Sequence, residues 1–149
     1  MIFREAKQEE YKVIAGFQNK TALETEHLKL DAETVLKGVK AVFSDNTKGK
    51  YYVVEDDGKV VSSLLTTYEW SDWRNKYVIW IQSVYVLPEY RRKGVFNLMY
   101  SEIKNIAENN PKYSGIRLYV DKTNINARKV YEKIGMSGNH YDLFEDMFS

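Results

Sequence analysis

Apolar and polar positions along this chain follow two rhythms, and the switches between them mark out most of the elements. Residues 2–5 read as a short opening strand. Tyr11, Ile14, Phe17 and Gln18 give a weak helical face, after which KTALETEHLKL (20–30) reads as a loop or a second short helix. Asp31 suits a helix cap, and behind it Ala32, Val35, Leu36, Val39, Val42 and Phe43 recur at the spacing of an amphipathic helix. The polar run SDNTKGK ends that helix. Two β-rich runs then flank Asp56-Asp57-Gly58, where the glycine supplies the positive φ of a tight hairpin turn. SDWRNK is a second turn.

YVIWIQSVYVL (77–87) is nearly continuous in apolar residues, as a central strand covered on both faces would be, and Pro88 stops it. From Val95 the rhythm turns helical: Val95, Leu98, Met99, Ile103 and Ile106 share a face until Asn109-Asn110-Pro111. GIRLYV (115–120) reads as the next strand. NINARKVYEKIG is a further helix, with Ala127, Val130, Tyr131 and Ile134 on one stripe and Gly135 as its C-terminal cap. YDLFEDMF (141–148) alternates enough to predict a closing strand. Strand, helix and strand between residues 77 and 120 imply a right-handed crossover and a locally parallel pair. With no repeat, linker or low-complexity segment, the pattern predicts one mixed α/β domain over residues 1–149.

Composition narrows the function classes. The chain has 149 residues, 44% hydrophobic and 29% charged, the make-up of an ordinary soluble globular domain. A net charge of +1 argues against broad attraction to nucleic acid or an anionic membrane. Without cysteine there is no disulfide, thiolate metal site or thiol nucleophile, and His27 and His140 cannot alone build a multi-histidine metal site. The N-terminus is charged from its fourth residue, unlike a signal peptide, and no apolar run approaches membrane-spanning length. The expected location is cytoplasmic. The 12 tyrosines suit strand-rich structure.

The densest candidate chemistry lies in PEYRRKGVFNLMY (88–100). A helix that starts directly after a buried strand exposes unpaired N–H groups and partial positive charge at its first turn, which suits phosphate. Gly94 lets a phosphate approach the backbone closely, and Arg91, Arg92 and Lys93 add full charges. A solvated basic turn joining strand to helix would carry the same residues. The glycine signatures of P-loops and of dinucleotide-binding turns are both missing.

SVYVLPEYRRKGVFNLMYSEI resembles the acetyl-CoA-binding segment of the GNAT superfamily of N-acetyltransferases, which carries R/Q-x-x-G-x-G/A between a strand and the following helix. Arg91 to Val95 fit the first five positions, and Phe96 departs from the usual Gly or Ala. NINARKVYEKIGM resembles the family's N-x-x-A-x-x-L/V-Y-x-K-x-G-F/M element through Asn124, Ala127, Val130, Tyr131, Lys133, Gly135 and Met136. The resemblance covers essentially the whole chain, the first 45 residues in outline only. It implies a GNAT-type acyl-CoA N-acyltransferase fold. That fold has a mixed, mostly antiparallel sheet of about six or seven strands flanked by helices, locally parallel and splayed at the cofactor site.

The same resemblance implies acetyl-CoA as co-substrate and assigns roles. The backbone of Val84, Tyr85 and Val86 would hydrogen-bond the pantetheine arm and the thioester, an oxyanion-hole task. The pyrophosphate would sit on the backbone of Arg92, Lys93, Gly94, Val95, Phe96 and Asn97, in the loop that Arg91 opens. Arg92 or Lys93 would reach the adenosine 3′-phosphate, and the Phe96 ring would turn toward the protein. Asn124 would contact the cofactor near pantetheine and also suits a helix N-cap. Tyr131 would contact the cofactor and protonate the departing thiolate, against the plainer reading of a core tyrosine.

The implied reaction is direct attack of a primary amine on the acetyl carbonyl in a ternary complex, with no acyl-enzyme and no metal. A carboxylate or a water chain must take the amine's proton. Candidates are Glu69, beside Trp70 and Trp73 in TYEWSDW, and Glu24 and Glu26 between the first helices. The plainer reading of Glu69 is a turn-facing surface carboxylate. EWSDWR with WIQSV reads either as an acceptor pocket or as a packed turn with tryptophan in the core. Small amines, protein lysines and N-termini all stay open as acceptors, and ALETEH with the acidic tail leans toward a cationic one. A catalytically inactive CoA-binding module and a transferase using another acyl-CoA also stay open. Relatives often dimerise, so a homodimer is expected, with no nucleic-acid or membrane partner.

Overall fold

Asp57 and Gly58 both adopt positive φ, 50° and 78°, and this tight turn folds β2 (Lys50–Asp56) back onto β3 (Lys59–Ser71). A second turn, with Asn75 at φ 53°, returns the chain as β4 (Lys76–Val86). β1 (Ile2–Glu5) lies outside β2, and β5 (Tyr113–Arg117) lies outside β4, giving a sheet in the order β1-β2-β3-β4-β5. All pairs are antiparallel except β4–β5, which is parallel. The computed structural model describes residues 1–149 as two compact units, Met1–Leu118 and Tyr119–Ser149. The first unit also holds α1 (Tyr11–Glu26), α2 (Ala32–Ser44) and α3 (Val95–Glu108). No helix is long and apolar enough to cross a membrane.

Alternation along β2 assigns the helices to faces of the sheet. Tyr51 and Val53 pack with Ile14, Ala15, Val39 and Val42 of α1 and α2, whereas Tyr52 and Val54 pack with Val95, Met99, Ile103 and Ala107 of α3. The buried stripe of α3 thus runs at four-residue steps and leaves Ile106 exposed, off the expected face. α2 starts where the Asp31 carboxylate accepts the Thr34 N–H at 3.0 Å, satisfying one first-turn donor.

β4 carries one extra residue. Its register with β3 steps from Leu65↔Gln82 to Ser63↔Tyr85, so Ser83 and Val84 together stand opposite Leu64, and Ser83 takes φ 54°. The bulge shifts the phase of the strand. Ile79 and Ile81 face α3 before it; Val84 and Val86 face α3 after it. Tyr85 turns to the other side and meets Phe17 of α1 with ring centroids 5.0 Å apart. β5 pairs with β4 only from Tyr77↔Tyr113 to Trp80↔Arg117. No strand lies beside Ile81 to Val86 on that edge, which leaves about 20 Å of open backbone.

Several sequence expectations are corrected. KTALETEHLKL is neither a loop nor a separate helix, because α1 continues through it to Glu26 and stops at His27, φ 52°. Residues 20–24 are good helix formers apart from Thr21, whose hydroxyl bonds back to the Phe17 carbonyl at 2.9 Å. β5 begins at Tyr113, not Gly115, because the Lys112 carbonyl accepts the Tyr77 N–H at 2.8 Å and so sets the register early. The sheet has five strands because the tail adds none. Apolar residues stand side by side at Leu143-Phe144 and Met147-Phe148, so YDLFEDMF has no single apolar face, and Phe144 and Phe148 are 93% and 95% exposed.

The second unit is built on α4 (Ile125–Lys133). The Asn124 side chain caps its start by accepting the Ala127 N–H at 3.1 Å. Gly135, at φ 95°, follows its end, where the Met136 N–H bonds the Tyr131 carbonyl at 3.0 Å.

Candidate functional site

β4 leads through a short 3-10 turn, Pro88–Tyr90, into a loop with Arg92 at φ 61° and Gly94 at φ 77°. Left-handed residues so closely spaced curl the backbone and draw successive N–H groups toward one concavity, a shape that holds anions. No side chain caps α3, and the Leu98 N–H to Gly94 carbonyl bond, 3.0 Å, is where its ladder begins. The N–H groups ahead of it have no acceptor within the helix, and the positive end of the helix dipole adds to exposed Arg92 and Lys93. A Cβ built on Gly94 would meet nothing within 4 Å, so the space over this turn is open. These residues fit a phosphate group. The Phe96 ring packs against the core and stacks on Tyr100 at 6.2 Å, so its bulk is turned away from that space.

The open edge of β4 ends at the same loop. The Leu87 N–H donates to the Val61 carbonyl at 2.9 Å, so Leu87 and Tyr85 address β3, and alternation turns Val86 to the open edge. There the Val86 carbonyl accepts from Arg91 Nε at 2.9 Å. Arg91 Nη2 donates to Glu24 Oε2 at 2.7 Å, and its guanidinium lies 5.5 Å from the Tyr85 ring centroid. The Tyr85 hydroxyl donates to Glu24 Oε1 at 3.3 Å. Burial, with the Glu24 charge beside it, pushes the Tyr85 phenol up.

The three candidate carboxylates are separated. Glu24 stands at the loop end of the open edge, on Tyr85 and Arg91. Glu69 stands at the other end, where Arg117 Nη1 donates to it at 2.6 Å and the Trp80 indole at 3.3 Å, on the last paired rung before the opening. Next along the same face, the Gln82 amide donates to the Thr67 hydroxyl at 2.9 Å. Glu26 is exposed at the last residue of α1. Trp70 and Trp73, the neighbours of Glu69 in the sequence, are 54% and 88% exposed, so EWSDWR is not a packed tryptophan core.

Arg117 was missed by the sequence reading, and Trp80 and Ser83 entered it only as part of WIQSV, without the bulge or the Glu69 contact. The phase slip from Ile79 and Ile81 to Val84 and Val86, around polar Gln82-Ser83, was the available signal for the bulge. Nothing local in the sequence pairs Arg117 with Glu69, because that contact depends on the β3–β4–β5 register. In the second unit, Asn124 serves as the N-cap of α4 and Tyr131 is half-buried, with burial pushing its phenol up.

Comparison with known proteins gives a consistent match. The model of the acetyltransferase (GNAT) family matches residues 11–136. A possible acetyltransferase from Clostridium difficile 630 has 47% sequence identity, a TM-score of 0.92, and coverage of 99% of this chain and 97% of its own. A probable acetyltransferase at 20% identity superposes with a TM-score of 0.86 over 100% of this chain and 99% of its own. A predicted acetyltransferase from Clostridium acetobutylicum, solved with acetyl-CoA, is 17% identical, with a TM-score of 0.77 and coverage of 97% and 95%. No curated protein matches this chain.

Proposed function

We propose that this chain, which belongs to the acetyltransferase (GNAT) family, moves an acetyl group from acetyl-CoA directly to a primary amine in a ternary complex. One observation carries the reading. The open edge of β4, Ile81 to Val86, leads through the Pro88–Tyr90 turn and a short loop to an uncapped helix N-terminus with Gly94 at φ 77°. The amide groups of a pantetheine arm match the edge of a strand, and a pyrophosphate matches the curled backbone from Arg92 to Asn97. The family match runs over residues 11–136, which supports reading the chain as one acetyltransferase domain.

Acetyl-CoA supplies an activated acyl carbon, to which the amine nitrogen bonds as the C–S bond breaks. The chain's own groups orient and move protons. The bulge at Ser83 re-aims the backbone at Val84, which becomes the candidate N–H donor to the thioester oxygen, with Val86 behind it. Arg92 and Lys93 supply charge for the 3′-phosphate. Tyr131 gives its proton to the departing thiolate; a phenol is protonated at neutral pH in any case, and burial pushes it further up. The amine's proton goes to a carboxylate or through water. Glu69 stands where the edge opens, Glu24 where it ends, and Glu26 remains the third candidate. Asn124 joins the cofactor-binding set on its motif match, in addition to its capping role.

Thiol release from acetyl-CoA across a panel of polyamines, amino sugars, amino acids and lysine peptides tests this reading. The expected result is release that depends on one class of amine. Saturable acetyl-CoA binding with no release from any of them would instead favour a CoA-binding module that does not transfer.

A further inference from the structure

We propose that Arg91 is a positioning residue that braces the open edge of β4 against α1, and that it leaves the phosphate charge to Arg92 and Lys93. The inference rests on the acyl-CoA reading above. Three groups from two elements converge on one guanidinium: Nε holds the Val86 carbonyl at 2.9 Å, Nη2 holds Glu24 at 2.7 Å, and the plane sits over the Tyr85 ring. Glu24 is held a second time by the Tyr85 hydroxyl at 3.3 Å. The last turn of α1 is thereby tied to the last two residues of β4 through a closed ring of contacts.

The value of this arrangement lies in geometry. The Arg91 and Glu24 side chains are 44% and 41% exposed, and an isolated pair at that exposure contributes little to stability. A planar fork that grips a carbonyl and a carboxylate together fixes direction as well as distance, which a lysine cannot reproduce. The brace also occupies the Val86 carbonyl, so the backbone available to an incoming arm ends at the Val86 N–H. Arg91 thus marks where strand-like recognition stops and the phosphate loop begins. It also commits Glu24 to a structural partner, as Arg117 does Glu69, so either carboxylate would have to take the amine's proton from within an ion pair.

Two measurements test the brace. In the ligand-free protein, Arg91→Met and Glu24→Gln are each expected to speed amide hydrogen exchange across residues 84–87 with the rest of the sheet unchanged. Unchanged exchange there would overturn the brace without reference to any cofactor. In acetyl-CoA titrations, both variants are expected to weaken binding about 3- to 30-fold, with the double variant no weaker than either single one. Their dependence on salt stays that of the wild type, whereas Arg92→Met and Lys93→Met flatten it. Arg91→Lys, which keeps the charge and the fold, is expected to bind as weakly as Arg91→Met. The proposal fails if Arg91→Lys restores affinity. It fails equally if Glu24→Gln leaves affinity intact while Arg91→Met flattens the salt dependence. Failure of the wild type to bind acetyl-CoA, with the exchange result as expected, would overturn the acyl-CoA reading and leave only a structural brace.

Discussion

Tyr131 and Arg91 illustrate how a motif position and a side-chain contact carry different information. The motif around Tyr131 is the ground for proposing it as the residue that protonates the thiolate, and its half-buried place on α4 adds a physical consequence. Burial raises a phenol because the charged form loses water, so Tyr131 holds its proton beyond the ordinary phenol value of about 10. Replacing it by Phe is expected to lower kcat on the order of 10- to 100-fold with acetyl-CoA affinity retained. In a pH profile of kcat, any falling limb owed to Tyr131 must lie above about pH 10 and vanish in the Phe variant. Turnover at the wild-type rate would remove Tyr131 from the mechanism. Arg91 was equally conspicuous in the sequence as one of three adjacent cations. Its partner Glu24 is 67 positions away, so only the packing of α1 on β4 reveals what the guanidinium holds.

At the level of elements, the helical period is legible in α2 and α3, although α1 runs on past its expected end and Ile106 lies off the buried stripe of α3. α2 is the clearest case, with Asp31 as its cap. The Thr34 hydroxyl, then its N–H, hold the Asp31 carboxyl below the usual carboxylate range. A depressed folded-state value means stability that is present above the unfolded value of about 4 and lost as the pH falls through the folded one. Asp31→Ala is therefore expected to lower Tm by a few degrees at pH 7, with the gap to wild type closing below about pH 4. A gap that persisted at low pH would assign the effect to something other than the charged cap.

The bulge in β4 makes the opposite point. A continuous apolar run conceals a change of phase, and Ser83 at φ 54° becomes visible only through the register with β3. Ser83→Val places a β-branched residue in a left-handed conformation and is expected to cost about 1–2 kcal/mol in urea unfolding. It should also raise the KM for acetyl-CoA, while Ser83→Gly keeps both properties. Equal stability of the two variants would mean that the bulge is not held at Ser83.

For the whole molecule, the order of elements up to α4, the parallel β4–β5 pair and the first turn of α3 were legible, because each follows from local periodicity or a motif. What depends on long-range register was not: the strand count, the start of β5 and the partners of Glu69. The tail failed for a related reason, since two doublets of adjacent apolar residues imitate alternation without giving one face. The family match and the 47% identical structure then add what neither periodicity nor geometry supplies, the class of chemistry.

The central claim is that acetyl-CoA binds with its pyrophosphate on the first turn of α3. Calorimetric titration of acetyl-CoA into the wild type and Gly94→Glu tests it most directly, because Gly94 sits at φ 77° under open space. The account predicts saturable binding at one site in the wild type. It predicts a loss of at least about 100-fold in Gly94→Glu, with the fold intact by circular dichroism. Equal affinity in the two proteins, or no saturable binding by the wild type, would contradict it.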